Sequence, residues 1–169
     1  MSARPGDGSI RTRRVAILVA DGAKAQPLIT LAQQLAAAGA VPRFLGARLG
    51  RIAADDAGTI EIDATLENMP SVLWDAIVLP DGGAATAALA ADGRAIEFLK
   101  DQYRHAKPIL ALGSSSEIVA KAGLPKALPS GKPDPGLIVA DSGEQAFAAF
   151  TSALASHRVF ARESDPPRV

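Results

Sequence analysis

Cysteine is absent from the 169 residues of this chain. Without a thiol the chain forms no disulfide, binds no metal through thiolates and has no cysteine nucleophile. Only two histidines, His105 and His157, are present, and they lie far apart in the sequence. A metal centre would have to rely on carboxylates, and no group of acidic residues has ligand spacing. These absences predict a protein without a metal site and with few groups for acid–base chemistry.

Aromatic residues and an excess of charge of either sign are also lacking. Aromatic residues make up 4% of the chain, and 18 basic residues balance 18 acidic residues. A net charge of zero gives no reason to expect binding to nucleic acid or to an anionic membrane surface. No apolar run approaches the ~20 residues of a membrane span, and residues 1–14 lack the apolar core of a secretory signal. We therefore expect a cytoplasmic protein that contacts neither nucleic acid nor membrane.

Short apolar segments alternate with amphipathic segments along the chain. Five of the apolar segments have the length and composition of buried parallel strands: 15–20, 41–45, 76–80, 108–112 and 137–140. Most of the segments between them carry apolar residues at helical spacing. Strands that alternate with helices form a parallel sheet covered on both faces. The pattern predicts a flavodoxin-like, three-layer α/β sandwich with a mostly parallel five-stranded sheet of order 2-1-3-4-5.

The two ends of the chain differ in composition from the middle. Residues 1–12 are rich in glycine, proline, serine and arginine, which predicts a linker-like arm that contributes almost no apolar area. Residues 164–169 contain a pair of prolines and predict a loose tail. Residues 13–163 are then a single domain, of a length that suits one hydrophobic core.

Four smaller patterns predict local structure. Residues 49–62 hold two apolar patches separated by a turn, which predicts a peripheral β-hairpin. Residues 64–73 are typical of a loop with one helical turn around Glu67 and Pro70. Ser142 and Gln145 have the spacing of a capping box at the start of the last helix. Residues 134–136, Asp-Pro-Gly, predict a turn with no further role.

Functional groups of such folds lie where the parallel strands end. Asp-Gly or Gly-Ser sequences follow the first, third and fourth predicted strands. The backbone N–H groups of consecutive glycines can point into a concavity that holds an anion. The alternative interpretation is that these glycines only permit tight strand-to-helix turns. The candidate pocket residues are Gly22, Gly82, Gly83, Gly113 and Ser114.

Ser114 lies at a strand-to-helix turn, which is the geometry of a nucleophile elbow. A serine there attacks a carbonyl only with a base within reach, and neither histidine has an evident route to it. The alternative interpretation is that Ser114 or Ser115 caps the following helix. Asp21 and Asp81, which follow the first and third strands, can also be interpreted as a carboxylate pair above the sheet.

Three segments resemble, in order and spacing, the PfpI-like, class I glutamine amidotransferase-like superfamily: 15–22 (VAILVADG), 78–83 (VLPDGG) and 108–113 (PILALG). This resemblance implies a flavodoxin-like fold. Active members of the superfamily carry a cysteine at the elbow, an acidic residue after the first strand and often a histidine after the elbow. In this chain Gly113 stands at the cysteine position, Gln26 or Pro27 stands at the acidic position, and no histidine follows the elbow.

Further segments resemble the C-terminal domain of large-subunit haem catalases: 3–13, 63–72, 91–95, 103–109 and 157–163. The resemblance implies an accessory domain that is not itself an enzyme and binds no cofactor, with haem confined to a preceding catalase body. It implies a role in the stability or assembly of a catalase, or chaperone-like action on unfolded clients in oxidative-stress defence. The implied partners are therefore a catalase body, a second copy of the chain or unfolded proteins.

Two other functions stay open at this point. One is a small hydrolase or amidase that uses Ser114 with the N–H groups of Gly82 and Gly83. The other is a small-molecule binding module that uses the same cleft. The missing base argues against the enzyme, whereas the sequence does not separate the accessory domain from the binding module.

Overall fold

Eight strands form two sheets in the computed structural model, which describes residues 8–169. The strands are β1 (Arg14–Leu18), β2 (Val41–Gly46), β3 (Gly50–Ala53), β4 (Thr59–Ile62), β5 (Ala64–Thr65), β6 (Ala76–Leu79), β7 (Ile109–Leu112) and β8 (Leu137–Ala140). Six of them form the central sheet in the order β5-β2-β1-β6-β7-β8, and all neighbours in it are parallel. The remaining two, β3 and β4, pair antiparallel as a separate hairpin.

The predicted sheet and hairpin are confirmed, with one additional strand. The five predicted strands correspond to β2, β1, β6, β7 and β8 and lie in the predicted order. The segment 64–73 does contain a helical turn, at Ser71–Leu73, but its first two residues are not a loop. They form β5, which pairs with Leu45 and Gly46 at the end of β2. Two residues are too few to show strand periodicity, so the sequence did not reveal this edge strand.

Within residues 8–169, five α-helices cover the two faces of the central sheet: α1 (Ala25–Ala37), α2 (Gly83–Ala91), α3 (Gly93–Arg104), α4 (Ser116–Lys121) and α5 (Gly143–Ser156). Residues of α1 and α5 share one hydrophobic cluster with Val15 and Ile17 of β1. Residues of α3 and α4 share the other cluster with Ala16 and Leu18. Successive residues of β1 therefore face opposite cores, which explains why the strand sequence is apolar throughout.

The spacing of three leucines determines which face of helix α1 packs against the sheet. Leu28, Leu31 and Leu35 are spaced three and four residues apart and are each at most 1% exposed. This spacing places them on one face of the helix, against the sheet. Truncating any one of them to alanine is expected to cost about 2–5 kcal/mol. The helices of the described part of the chain are too short or too polar to span a membrane.

The predicted arm is not free of core contacts. Ile10 is 6% exposed and belongs to the hydrophobic cluster that contains α1, and the Thr12 N–H donates to the Gly39 carbonyl at 2.8 Å. The expectation that residues 1–12 contribute almost no apolar area is therefore wrong at Ile10. Residues 1–7 lie outside the described residues, and the boundary at residue 12 stays a prediction.

The segment predicted as a loose tail makes two hydrogen bonds with the body of the domain, and its Val169 packs against the hydrophobic cluster that contains α3 and α4. Arg104 Nε donates to the Val169 carbonyl at 2.9 Å, and Arg168 Nη1 donates to the Ala127 carbonyl at 3.0 Å. Two hydrogen bonds at exposed positions and one partly buried side chain hold a segment only weakly, and the boundary at residue 163 stays a prediction.

The capping box predicted for α5 forms in part. The Ser142 hydroxyl accepts from the Gln145 N–H at 3.2 Å, as a helix N-cap does. The Gln145 side chain accepts from the N–H of Asp141 at 3.2 Å, whereas a capping box has the N-cap residue itself as the donor.

Candidate functional site at the carboxyl edge of the sheet

Four of the five predicted pocket residues meet at the carboxyl edge of the sheet. They follow β1, β6 and β7, which are neighbouring parallel strands. A Cβ atom on Gly82 would overlap the carbonyl oxygen of Gly22, and one on Gly113 would overlap the carboxylate of Asp81. Gly83 differs, because a Cβ atom there would meet open space. The obstacle is backbone at position 82 and the Asp81 side chain at position 113, and both positions have a positive φ that favours glycine.

The elbow position is occupied by a glycine that has no room for a side chain. Gly113 has a φ of 51°, a left-handed conformation that glycine adopts far more readily than other residues. The space that a cysteine would need at this position is filled by the carboxylate of Asp81, whose Oδ2 would lie 2.7 Å from a Cβ atom on Gly113. Both the backbone and the neighbouring carboxylate therefore oppose a nucleophilic side chain at position 113.

Asp81 is the residue around which this edge is organised. Its Oδ2 accepts from Lys24 Nζ at 2.6 Å. Its Oδ1 accepts from the N–H groups of Gly82 and Ser114 at 2.8 and 3.0 Å, and from the Ser114 hydroxyl at 3.0 Å. From the sequence, Asp81 was interpreted only as a partner of Asp21, because nothing in the sequence shows that Lys24 and Ser114 converge on it.

These contacts fix the ionisation of the pair. Burial alone would raise the pKa of Asp81, but hydrogen bonds from Lys24, Ser114 and Gly82 outweigh it and lower the pKa to about 2. The hydrogen bond to Asp81 and the attraction of its charge raise the pKa of Lys24. At neutral pH the pair is therefore an aspartate anion and a lysine cation. A carboxylate with so low a pKa is a poor general base for a serine hydroxyl.

The hydroxyls of the elbow serines are engaged inside the elbow. Because the Ser114 hydroxyl donates to Asp81, it accepts from the Thr86 hydroxyl, which lies 2.8 Å away. The Ser115 hydroxyl is buried and donates to the Leu112 carbonyl at 2.8 Å. The prediction that one of these serines caps the following helix is therefore wrong, because neither side chain makes a cap hydrogen bond with α4.

Both histidines lie at the opposite edge of the sheet. His157 Nε2 is 3.3 Å from Oδ1 of Asp75, the residue that immediately precedes β6. Burial lowers the pKa of His157, and the charges of Arg13 and Arg158 lower it further. His105 lies before β7, and its carbonyl accepts from Arg158 Nη1 at 2.7 Å. The location expected for the histidines, away from the elbow, agrees with this geometry.

The interpretation of Asp21 and Asp81 as a carboxylate pair is not supported by their contacts. Oδ1 of Asp21 accepts from the Ala53 N–H at 2.9 Å. Asp21 thus holds the β3–β4 hairpin against the end of β1, whereas Asp81 is bound to Lys24. The two carboxylates therefore have separate hydrogen-bond partners.

Two cavities lie at this edge of the sheet. The smaller has a volume of about 130 Å³ and is lined by Lys24, Asp81, Leu112 and Asp141 among other residues. The larger, of about 400 Å³, lies at the end of β1. None of the five predicted pocket residues lines either cavity, and ligand binding beside them stays a prediction. Residues 8–169 contain no group of three or more acidic or histidine side chains suited to a metal ion.

Comparison with protein families gives one match over most of the chain. A family described as "C-terminal domain found in long catalases" matches residues 11–164. Catalase HPII of Pseudomonas putida is 38% identical over 160 residues, which are 95% of this chain and 21% of that protein. Catalase HPII of Pseudomonas aeruginosa is 31% identical over 157 residues, with coverages of 93% and 21%. The chain therefore spans about a fifth of the length of these curated relatives.

Solved structures of the DJ-1 superfamily share the fold. A cysteine-to-alanine mutant of a DJ-1 superfamily protein from Salmonella typhimurium has a TM-score of 0.72 and 24% identity, covering 82% of this chain and 86% of its own. Oxidized DJ-1 from Toxoplasma gondii has a TM-score of 0.62 and 17% identity, with coverages of 66% and 62%. At these identities the likeness concerns the fold alone, and it confirms the predicted fold class.

Proposed function

The chain belongs to the family of C-terminal domains found in long catalases, and we propose that it is a non-catalytic accessory domain that supports the stability or assembly of a catalase. The resemblance of the sequence to this family is confirmed by the comparisons, and the solved structures of the DJ-1 superfamily share its fold. The partner proposed for the domain is a catalase body. Peroxide decomposition and haem are proposed to belong to that body and not to this domain.

The observation that carries the non-catalytic part of the proposal is the filled elbow. Gly113 provides no nucleophile, and the Asp81 carboxylate occupies the space beside it. Ser114 remains as the alternative nucleophile, but its hydroxyl donates to Asp81 and accepts from Gly82 N–H and Thr86. A hydroxyl oxygen with these partners, and without a neighbouring base whose pKa is close to neutral pH, is a weak nucleophile. This arrangement supports the accessory domain over the hydrolase alternative.

A chimera tests the proposed role in stability. Residues 8–169 of this chain would replace the C-terminal domain of Pseudomonas putida catalase HPII. We expect the chimera to keep peroxide-decomposing activity longer at elevated temperature than the same body without a C-terminal domain. Light scattering on both samples would show whether the domain also changes the assembly of the body.

The matched control is a chimera that carries the DJ-1 superfamily domain from Salmonella typhimurium, which shares the fold at 24% identity. If that control protects the body equally well, any compact domain suffices and the proposal of a specific accessory role is contradicted. A chimera that loses activity as fast as the body alone contradicts it as well.

The isolated chain gives a second test. We expect it to show no Soret band after incubation with haem and no oxygen evolution from peroxide. Its one tyrosine and two histidines lie outside any recognisable setting for a haem ligand. A stable haem complex that decomposes peroxide would contradict the proposal.

A further inference from the structure

The surroundings of the Asp81 carboxylate have the composition of a binding site for a small anion. The carboxylate meets one lysine ammonium, two backbone N–H groups and one hydroxyl, all at 2.6–3.0 Å. We propose that the chain carries a small-anion site at the carboxyl edge of the sheet, and that its own Asp81 side chain is the resident ligand. The external ligands that fit the same donors are small carboxylates such as formate and acetate.

The two N–H groups come from the ends of two neighbouring strands. One belongs to Gly82, after β6, and the other belongs to Ser114, after β7. Gly82 has a φ of 123°, and the carbonyl of Gly22 leaves no space for a side chain on it. The packing of Gly82 against Gly22 fixes the Gly82 N–H, and the turn after β7 brings the Ser114 N–H to the same carboxylate oxygen. The two N–H groups thus converge on one point, as in the backbone nests that bind anions.

The cation comes from a third segment and faces solvent. Lys24 precedes α1, and its backbone N–H donates to the Asp81 carbonyl at 3.0 Å, which anchors the lysine beside the nest. The Lys24 side chain is 48% exposed. The cavity of about 130 Å³ is lined by both Lys24 and Asp81. A small anion therefore has a route to the nest from the Lys24 side once the carboxylate is removed.

The resident carboxylate keeps external anions out of the wild-type chain. A ligand that is covalently part of the protein loses no translational freedom on binding, so an external anion of the same chemistry competes poorly. Without the carboxylate the Ser114 N–H would lose its acceptor, and an unsatisfied donor favours a replacement ligand. The site is thus filled in the wild type and open in a variant that lacks the side chain.

The test is a formate titration of Asp81→Ala, followed by the backbone amide signals of Gly82 and Ser114 in NMR spectra. We expect saturable shifts of both signals in Asp81→Ala and none in the wild type, with sodium chloride at equal ionic strength as the reference. Thermal melting should agree, with formate raising the midpoint of the variant to a plateau. The double variant Lys24→Met/Asp81→Ala should need at least tenfold more formate.

The matched control is Asp21→Ala, which removes another carboxylate at the same edge. The Asp21 carboxylate accepts one hydrogen bond, from the Ala53 N–H. The proposal is overturned if Asp81→Ala responds to formate no differently from Asp21→Ala. It is also overturned if wild-type chain shows saturable shifts at Gly82 and Ser114, since its site would then be vacant.

If Asp81→Ala does not fold, two further measurements test the proposal. Refolding of Asp81→Ala or Asp81→Ser by formate, but not by chloride, supports the proposal. In the wild type, the amide signals of Gly82 and Ser114 should move together as Asp81 takes up a proton at about pH 2. If the two signals do not follow the Asp81 titration, the carboxylate is not their ligand and the proposal fails.

Discussion

The two edges of the central sheet each hold an ion pair with a 2.6 Å contact, but the two pairs differ in burial. At the carboxyl edge the side chains of Lys24 and Asp81 are 48% and 20% exposed. Among the segments that flank the amino edge, the side chains of Arg162 and Asp134 are 2% and 1% exposed. Exposed pairs contribute little to stability, whereas breaking a buried pair leaves an uncompensated charge. Equal distances therefore do not mean equal energies.

The buried pair joins three segments at the amino edge. Arg162, in the segment after α5, binds both carboxylate oxygens of Asp134, which precedes β8. Its Nη1 donates to the Lys107 carbonyl at 2.6 Å, just before β7, and its guanidinium lies 4.6 Å from the centre of the Tyr103 ring. The prediction that Asp134 belongs to a turn with no further role is wrong, although its Oδ1 does accept from the Gly136 N–H as a turn residue.

The largest expected effect comes from breaking this buried pair. Arg162→Ala should lower the free energy of unfolding by about 3–5 kcal/mol, because it leaves the Asp134 carboxylate buried without its partner. Lys24→Ala, at the exposed pair, should cost far less. Urea unfolding monitored by the fluorescence of Trp74 measures both. Equal losses from the two substitutions would contradict the contrast between the edges.

A second prediction concerns the carboxyl edge. Gly113→Ala should lower the free energy of unfolding by about 1–3 kcal/mol, as overpacking does, because the added Cβ meets the Asp81 carboxylate in a left-handed backbone conformation. The loss should be smaller in an Asp81→Ala background. Gly83→Ala is the matched control, since its Cβ would meet open space, and it should change stability by less than about 0.5 kcal/mol. Similar losses at positions 113 and 83 would show that the elbow is not filled.

At alkaline pH, Lys107 at the amino edge should make the stability of the chain depend on pH. Lys107 is buried, and its Nζ donates to the Ser71 carbonyl at 3.0 Å. Burial and then the positive charge of Arg158 lower the pKa of Lys107 from 10.5 to about 8. Between these values the folded chain has lost the proton and the unfolded chain keeps it, so stability rises with pH.

The measurement is urea unfolding at several pH values between 8 and 10.5, compared with Lys107→Met. Between pH 8 and 10.5 the free energy of unfolding of the wild type should rise relative to that of Lys107→Met. If the two chains show parallel pH profiles, Lys107 has an ordinary pKa and its buried position does not affect its ionisation.

At acid pH the carboxyl edge should respond, with the smallest effect of this series. The pKa of Asp81 is lowered from 3.8 to about 2. The contribution of Asp81 is therefore fully present above pH 3.8 and is lost as the pH falls towards 2. The free energies of unfolding of the wild type and of Asp81→Asn should converge as the pH falls from 3.8 towards 2. A constant difference between them would mean that Asp81 does not titrate with the unfolding equilibrium.

The sequence was sufficient for the fold because four of the five predicted strands are continuous apolar runs and most of the segments between them carry apolar residues at helical spacing. It was insufficient for the polar contacts at both edges. Lys24 and Asp81 are 57 residues apart, and Asp134 and Arg162 are 28 apart, and no periodic pattern connects such pairs. Their contacts depend on which strand ends become neighbours, which only the assembled sheet determines.

The same limit applies to the candidate site. The glycines at the strand ends pointed to the carboxyl edge of the sheet, and the missing cysteine at position 113 led to the prediction of a non-catalytic chain, which stays a proposal. The sequence did not indicate that a carboxylate fills the elbow, because Asp beside glycine is common in ordinary turns. The buried position of Ile10 was missed for a similar reason, since one apolar residue in a polar arm has no periodicity.

The most direct test of a closed, non-catalytic elbow is treatment of the wild-type chain with a fluorophosphonate probe, followed by mass spectrometry of its peptides. A known serine hydrolase in the same reaction confirms that the probe is active. We predict no adduct on Ser114, because its hydroxyl is bound by Asp81 and Thr86 and has no effective base. Stoichiometric modification of Ser114 would contradict this prediction and favour the hydrolase alternative.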